Sequence, residues 1–253
     1  MMKTAFLIFL VLAPGVLFAQ NSKNILAKID AQVTFMNSDY SAQVDIVQDK
    51  PDEGQSFTRV DLFRRDKDSE YLMLVLKPDS DKGKGYLKIG NNLWLYDPVA
   101  HRFTVTSAKD RFQNSNARNS DFTRSSLAED YRIVRSYPEK LGVFDTTVYE
   151  LEAIRDDVTF PRTKLWVTPD NLVRMTKDYS LSGQLLRITA IPTYQRVGNR
   201  YVPVKMLIID ELRGKMVDGR FEHEKTQITI SKPSLAPLPD IVFTRTYLEK
   251  MAP

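Results

Sequence analysis

The chain has 253 residues, a formal net charge of +4 and no cysteine. Without cysteine it can form neither a disulfide nor a lipid anchor on an N-terminal cysteine. The small positive charge is weak evidence for contact with anionic lipid headgroups and weaker evidence for nucleic acid binding, and we favour an ordinary solubilising role for it.

Residues 1–19 predict an export signal. Lys3 supplies the positive start, Ala5–Leu12 forms an apolar core, and Ala19 offers a small residue for cleavage. The core is much shorter than the ~20 apolar residues of a membrane-spanning helix. We therefore expect cleavage near Ala19, followed by a single β domain over residues 20–253. An exported protein without disulfides suits a bacterial periplasm, which is the predicted location.

The start of this domain predicts one helix and then strands. Ser22–Phe35 carries apolar residues at intervals of three to four, as in a helix with one apolar face. From Tyr40 the apolar residues alternate with polar ones, which is typical of a half-buried strand. Tyr71–Leu76 is apolar throughout. Both faces of that strand therefore need to be covered.

The stretch Gly85–Thr106 predicts a hairpin around which the chain is organised. Two extended runs, Tyr86–Ile89 and Leu93–Tyr96, flank Gly90-Asn91-Asn92, and these turn residues tolerate a positive φ. Every side chain in Leu93–Tyr96 is apolar or aromatic. A sheet of this kind needs an apolar partner, either a helix of its own chain or a bound guest.

The second half of the chain is interpreted as mostly strands. Lys109–Asp121 is polar and predicts a surface loop, Ser120–Asp130 a short helix, and Phe243–Met251 a terminal helix. The strands predicted between them are Tyr131–Ser136, Thr146–Ala153, Thr163–Val167, Val173–Tyr179, Leu185–Tyr194, Tyr201–Asp210 and Arg220–Ile230.

These elements predict a mainly β fold. About eleven strands joined by short turns favour one large antiparallel meander, and strand twist makes so wide a sheet curl or close. One apolar face recurs along it, including Leu72, Leu74, Met206, Ile208 and Ile228. With that face inward the sheet is an open or closed barrel with an apolar interior, which the apolar helices would plug.

No combination of residues predicts catalysis or metal binding. The chain has two histidines. His223 lies between two glutamates on a predicted strand, where an exposed polar face is favoured over a zinc site. His101 follows a turn. Ser125 and Ser126 offer a nucleophile in principle, but nothing specific marks them. We therefore predict no catalytic residue, no metal site and no cofactor.

Several motifs are shared with a known family. They are Lys82-Gly83-Lys84-Gly85-x-Leu87, Leu93-Trp94-Leu95-Tyr96-x-Pro98, Asn119-Ser120-Asp121-Phe122, Leu127-Ala128-x-Asp130-Tyr131, Leu165-Trp166-Val167-x-Pro169 and Phe243-Thr244-x-x-Tyr247-Leu248. In these motifs the sequence resembles the outer-membrane lipoprotein-sorting protein family, with Asn119 where that family has glycine. The resemblance implies a strongly curved antiparallel sheet, an unclosed β-barrel of about eleven strands. Helices cover its concave apolar face, which receives acyl chains, and the resemblance transfers no catalytic residue.

This resemblance implies a periplasmic carrier or chaperone. It would bind acyl chains of lipoproteins or lipids in an apolar cavity and shuttle them toward the outer membrane. Our candidates for the lining are Leu72, Leu74, Trp94, Tyr96, Met206 and Ile208. Arg64 and Arg65 are candidates for the rim, where a phosphate or an inner- or outer-membrane protein partner would meet them. No nucleic acid partner is expected.

Two other functions stay open at this point. One is a lipid-acting hydrolase, an esterase or phospholipase, that uses His101 or His223. The other is a non-catalytic accessory module whose cavity is filled by its own side chains and which binds a membrane-protein partner. The pattern also leaves open which face of each strand is concave, and whether the cargo is a lipoprotein or a free lipid.

Overall fold

A computed structural model describes residues 14–51 and 53–251. Most of the predicted export signal lies outside these residues, so its cleavage near Ala19 stays a prediction. Within the described ranges no helix is both long and apolar enough to cross a membrane.

The described chain forms three α-helices, four short 3-10 turns and thirteen strands. The helices are α1 (Pro14–Val33), α2 (Leu127–Asp130) and α3 (Arg245–Met251), and the 3-10 turns are Asp66–Asp68, Asp79–Asp81, Asn119–Phe122 and Asp240–Phe243. The strands are β1 (Tyr40–Lys50), β2 (Gly54–Arg65), β3 (Glu70–Lys77), β4 (Gly85–Ile89), β5 (Asn92–Asp97), β6 (Arg102–Thr106), β7 (Tyr131–Leu141), β8 (Phe144–Ala153), β9 (Arg162–Val167), β10 (Val173–Tyr179), β11 (Leu185–Val197), β12 (Arg200–Val217) and β13 (Arg220–Ser234).

All thirteen strands belong to one antiparallel sheet with the order β6-β5-β4-β3-β2-β1-β13-β12-β11-β10-β9-β8-β7. The mainly β prediction is confirmed, with thirteen strands in place of about eleven. Strands β6 and β7 are the two edges, so the sheet does not close. Seven adjacent strands, from β2 through β1 and β13 to β9, line a single cavity. If the sheet were flat, they would span roughly 29 Å, so it must be strongly curved.

Turn residues set the register of the long hairpins. Asp218 and Gly219 join β12 to β13 with φ angles of 48° and 80°. A two-residue turn with two positive φ angles matches the twist of the flanking strands, and Asp-Gly is a favoured pair for it. This turn therefore fixes the pairing of β12 with β13.

Helix α1 covers part of the concave face of the sheet. Its apolar stripe places Leu26 and Ile29 against Ile133, Leu151 and Leu165, and this cluster is almost completely buried. The helix predicted at Ser22–Phe35 is thus confirmed, although it begins at Pro14 and ends at Val33.

Residues 107–130, which we call the cover segment, join the two sheet edges and fold onto the concave face. The prediction of a surface loop over Lys109–Asp121 is wrong, because Phe112 and Ala117 are buried in the main core, as is Phe122 just after it. The backbone of this segment is buried together with these side chains. Its polar groups are hydrogen-bonded there: Gln48 Oε1 on β1 accepts a hydrogen bond of 3.1 Å from the Asn116 N–H. The single predicted helix is replaced by a 3-10 turn and the one-turn helix α2.

Helix α3 covers the opposite, convex face. Its Leu248 is fully buried and packs with Leu72, Leu87 and Tyr96. Gly85 makes this close approach feasible, because a Cβ at that position would lie 2.3 Å from Leu248 Cδ2. The predicted terminal helix is confirmed, beginning at Arg245 after a 3-10 turn.

Arg65 fastens the C-terminal segment to this convex face. Its guanidinium donates to Asp39 through Nε and Nη2, at 2.9 and 3.1 Å. It also donates to the Leu238 carbonyl at 2.7 Å and stacks 4.7 Å from the ring centroid of Phe243. Because Arg65 and Asp39 are both buried, this pair holds the approach to α3 firmly in place.

Candidate functional site

The concave face encloses an apolar cavity of about 270 Å³ between the sheet, α1 and the cover segment. Its walls are mainly aliphatic and aromatic. The apolar lining residues are Ile29, Val33, Phe35, Leu62, Phe122, Leu127, Leu165, Val173, Ile191, Val202, Pro203, Met206 and Ile230. Such a surface fits an apolar ligand of small cross-section, because apolar area leaves water when the ligand enters.

Arg64 and Tyr40 supply most of the polarity at one end of this cavity. Arg64 pairs with Asp66 at 2.9 and 2.7 Å and lies over the rings of Phe35 and Tyr40. The Tyr40 hydroxyl is buried and has no hydrogen-bond partner in the part of the chain that the structure describes. Burial raises the pKa of Tyr40 to about 12, so this hydroxyl stays protonated and can donate to a ligand oxygen.

Asp30 on α1 connects the two elements that cover the cavity. Its carboxylate accepts hydrogen bonds from the backbone N–H groups of Leu127 and Ala128, at 3.0 and 2.9 Å, and one from the Ser125 hydroxyl. We call this arrangement the Asp30 latch. Burial raises the pKa of Asp30, although the hydrogen bonds act in the opposite direction. The latch therefore ties α1 to α2 without a cation within salt-bridge distance among the described residues.

A larger polar cavity of about 510 Å³ adjoins the apolar one, and residues 120–127 contribute to both. It contains a buried ion network in which Arg187 donates to Asp178 at 2.9 Å and to Asp121 at 2.7 Å. Thr163 also donates to Asp178, at 2.7 Å. The network attaches the cover segment to β10 and β11, so an apolar chamber and a polar one meet beneath the same cover.

The structure separates the six predicted lining residues into two groups. Met206 lines the apolar cavity, and Ile208 is buried in the core of the same face. The other four, Leu72, Leu74, Trp94 and Tyr96, lie on the convex face beneath α3 and do not line this cavity. Their strands are apolar on both faces, and their alternate residues, such as Met73 and Leu93, point to the concave core instead.

The two predicted rim residues also point to opposite faces. Arg64 lines the cavity, as described above, whereas Arg65 is engaged with Asp39 and the C-terminal segment. Neighbouring residues of a strand alternate between its faces, so only one of the two can reach the cavity. Whether Arg64 meets a phosphate or a protein partner stays a prediction.

The histidines and the candidate serines lie apart. His101 is in the exposed turn between β5 and β6, and His223 on β13 contacts the Asp210 carbonyl at 3.1 Å. The Ser125 hydroxyl donates to Asp30 and the Ser126 hydroxyl to Asp130, so both hydroxyls are already hydrogen-bonded to carboxylates. Across residues 14–51 and 53–251, no group of three or more His, Cys, Asp or Glu side chains is placed to hold a metal ion.

Sequence reasoning missed the features that give the site its polarity. The ion network of Asp121, Asp178 and Arg187 and the Asp30 latch are built from residues that strand and helix patterns assign to solvent. One signal was available for the latch. Asp30 interrupts the apolar side of α1 directly after Ile29, where an unpaired carboxylate would be costly to bury.

Comparison with known proteins fits this architecture. A family model described as "Uncharacterized protein" matches residues 67–250, which is most of the chain. The chain belongs to this family. No curated protein matches it.

Three solved structures are similar over nearly their whole length. A LolA superfamily protein from Nitrosomonas europaea is 24% identical, with a TM-score of 0.74 over 89% of this chain and 98% of that one. A putative outer membrane lipoprotein-sorting protein domain from Vibrio parahaemolyticus is 17% identical, with a TM-score of 0.78 over 91% and 99%. A DUF1329 family protein from Desulfovibrio piger is 15% identical, with a TM-score of 0.79 over 91% and 99%. These likenesses establish the fold, and they confirm the resemblance to lipoprotein-sorting proteins at that level.

Proposed function

We propose that this protein is a non-catalytic periplasmic carrier that holds acyl chains of lipoproteins or lipids in the apolar cavity. In this proposal it takes its cargo toward the outer membrane. The observation that carries the proposal is the apolar cavity itself, which lies beneath α1 and the cover segment and not within rigid sheet packing. The fold, which is also that of lipoprotein-sorting domains, supports it.

The energetics suit reversible binding. Each methylene transferred from water to an apolar site gains ~0.8 kcal/mol, so about ten methylenes give micromolar affinity without any charged contact. The cavity of 270 Å³ is slightly smaller than the ~300–1,000 Å³ that drug-sized ligand sites occupy. A chain with its head group therefore needs α1 or the cover segment to move.

The Asp30 latch provides the element that moves. Three hydrogen bonds join α1 to the start of α2, and no ion pair reinforces them within the described residues. When α2 separates from α1, the cavity opens on the side of residues 120–127. Opening exposes only one short helix and its turn, so release of the cargo need not unfold the sheet.

Native mass spectrometry of the purified protein with added phospholipid and diacylated lipopeptide tests the proposal. We expect the wild type to bind one of them with defined stoichiometry. Met206→Trp, which fills the cavity from β12, should reduce binding at least tenfold. The matched control is Leu207→Trp, one residue along on the other face, where the side chain is exposed.

Two results would contradict the carrier proposal. One is the absence of bound lipid or lipopeptide in the wild type at any protein-to-lipid ratio. The other is equal loss of binding in Met206→Trp and Leu207→Trp. Release of fatty acid from the added lipids, abolished by His101→Ala or His223→Ala, would instead favour the hydrolase.

A further inference from the structure

A third cavity, of about 280 Å³, lies between the cover segment and strands β11 and β12. We call it the arginine cavity, because Arg111, Arg118, Arg187 and Arg213 contribute four guanidinium groups to its lining. The lining holds one carboxylate, that of Asp210. It adjoins the polar cavity through Arg187 and shares no lining residue with the apolar cavity.

Three of these arginines already have carboxylate partners. Arg111 pairs with Asp210 at 2.5 Å, and Arg213 with Glu224 at 3.3 Å. Arg187 pairs with the two aspartates of the ion network described above. Each carboxylate oxygen of Asp210 already accepts a hydrogen bond, one from Arg111 and the other from the Leu212 N–H at 3.0 Å. Within the described chain the fourth arginine, Arg118, has no carboxylate within salt-bridge distance.

The position of Arg118 is electrostatically unfavourable. This residue lies directly opposite Arg111 across an isolated antiparallel bridge, and like charges opposed in this way destabilise a strand pair. Its Nη1 donates to the Lys109 carbonyl at 3.0 Å, but its buried Nε has no hydrogen-bond partner within the described residues. Burial, followed by repulsion from Arg111 and Arg187, lowers the pKa of Arg118.

A second buried donor lines the same cavity. Asn116 is only 2% exposed, and its Oδ1 accepts a hydrogen bond of 2.7 Å from Arg111. Its Nδ2 has no acceptor within the described residues. Buried donors without an acceptor are uncommon in folded proteins, and here two of them belong to Asn116 and Arg118, residues that line one cavity. Both nitrogens are shielded from solvent, so an acceptor in the cavity reaches them only after a small rotation of the two side chains.

We propose that the arginine cavity binds a phosphate group, toward which the side chains of Asn116 and Arg118 turn their unpaired donors when it enters. A phosphate accepts hydrogen bonds from several directions, as donors on different elements require, and guanidinium groups suit it well. The volume admits a phosphate and a small part of the molecule that carries it. The proposal is independent of acyl-chain binding, because the two cavities have separate linings.

Calorimetric titration with inorganic phosphate at low ionic strength tests this site. We expect one phosphate per chain in the wild type. Arg118→Gln and Asn116→Asp should each weaken binding at least tenfold, since a charge-assisted hydrogen bond is lost or a like charge is added. The matched control is Arg132→Gln, which removes an exposed arginine of β7 paired with Glu152 and should leave binding unchanged.

Asn116→Asp separates a binding site from a merely structural cluster. It keeps the acceptor for Arg111, so the protein should remain folded, and it adds a negative charge to the lining of the cavity. Phosphate should raise the Tm of the wild type and not that of Asn116→Asp. Absence of phosphate binding in the wild type, or undiminished binding in Asn116→Asp, would overturn the proposal.

Two further titrations identify the source of the phosphate. If glycerol 3-phosphate displaces inorganic phosphate and monomeric dihexanoyl phosphatidic acid does not, the site takes a free phosphate ester. Displacement by the short-chain lipid assigns it to a lipid headgroup. Met206→Trp should retain phosphate binding in either case, so failure of the carrier proposal and failure of this one give different results.

Discussion

The two faces of the sheet are covered in different ways. The difference is seen in the pKa shifts of the two carboxylates that hold the covers in place. On the convex face, the Arg65 guanidinium beside Asp39 holds the pKa of that carboxyl below its ordinary value. On the concave face, burial raises the pKa of Asp30, which has backbone N–H and hydroxyl donors but no paired cation among the described residues. Folding therefore favours the ionised form of Asp39 and disfavours that of Asp30.

This difference indicates which cover can open. The convex cover combines a buried ion pair with a fully buried leucine, and its cluster is filled by side chains of the chain itself. The concave cover leaves a cavity and is joined at the latch by a carboxylate whose burial is only partly compensated. The carrier proposed above needs one fixed cover and one that moves, and we assign the first role to the convex cover and the second to the concave one.

The largest expected effect comes from the convex clamp. Arg65→Met leaves Asp39 buried without its cation, and breaking a buried pair in this way costs about 3–5 kcal/mol of unfolding free energy. Urea denaturation measures the loss. Arg59→Met is the matched control, because its pair with Asp45 is half-exposed and should cost about 1 kcal/mol at most. Equal losses in the two variants would show that Arg65 does not clamp the C-terminal segment.

Leu248→Ala tests the apolar part of the same cover. Removing a fully buried leucine should cost about 3 kcal/mol through lost transfer free energy and a residual cavity. Met251→Ala in the same helix is the control, since its side chain is about half exposed and should change stability by ~0.5 kcal/mol or less. Lipid binding should survive in Leu248→Ala. Its loss there would assign the guest to the convex face.

The comparison of the two faces also explains how far the sequence can predict this molecule. Alternation along β1 and β13 and the turn residues predicted most strands correctly, because each hairpin carries its own local signal. On β3 and β5 the sequence pattern could not predict which face is concave. Tyr71–Leu76 and Leu93–Tyr96 are apolar on both faces, so nothing local distinguishes Leu72, under α3, from Met73, in the concave core.

Buried polar groups were the second limit. The pattern of residues 109–121 is polar, which favours a surface loop, yet Asn116 and Asn119 are buried. Their hydrogen bonds reach partners on distant strands, such as Gln48, or elsewhere in the cover segment. Sequence pattern treats each polar side chain as solvated, whereas the fold satisfies many of them by long-range pairing. For the same reason the arginine cavity and the ion network had no signal in the sequence.

The smallest expected effect is the pH dependence of the Asp30 latch, and it tests the difference between the two covers most directly. Asp30 has a pKa raised above 3.8 in the folded protein. Below pH 3.8 Asp30 is protonated in both states, and its contribution to the free energy of unfolding is fully present. As the pH rises, the unfolded state loses this proton first. The contribution is therefore lost when the pH passes through the folded pKa and the folded state releases its proton as well. Asp39 should show the opposite trend, with its contribution lost as the pH falls.

Amide hydrogen exchange at Leu127 and Ala128 measures this at the latch. After correction for intrinsic exchange, their protection in the wild type should fall as the pH rises above 3.8, and in Asp30→Asn it should be independent of pH. At the acid end, where Asp30 is neutral, the substitution should cost less than about 1 kcal/mol, because asparagine is also a good acceptor at the start of a helix. The same pH dependence in Asp30→Asn would place the titrating group elsewhere. Constant protection in the wild type would mean that ionisation of Asp30 does not loosen the cover, and the carrier would then need another way to open.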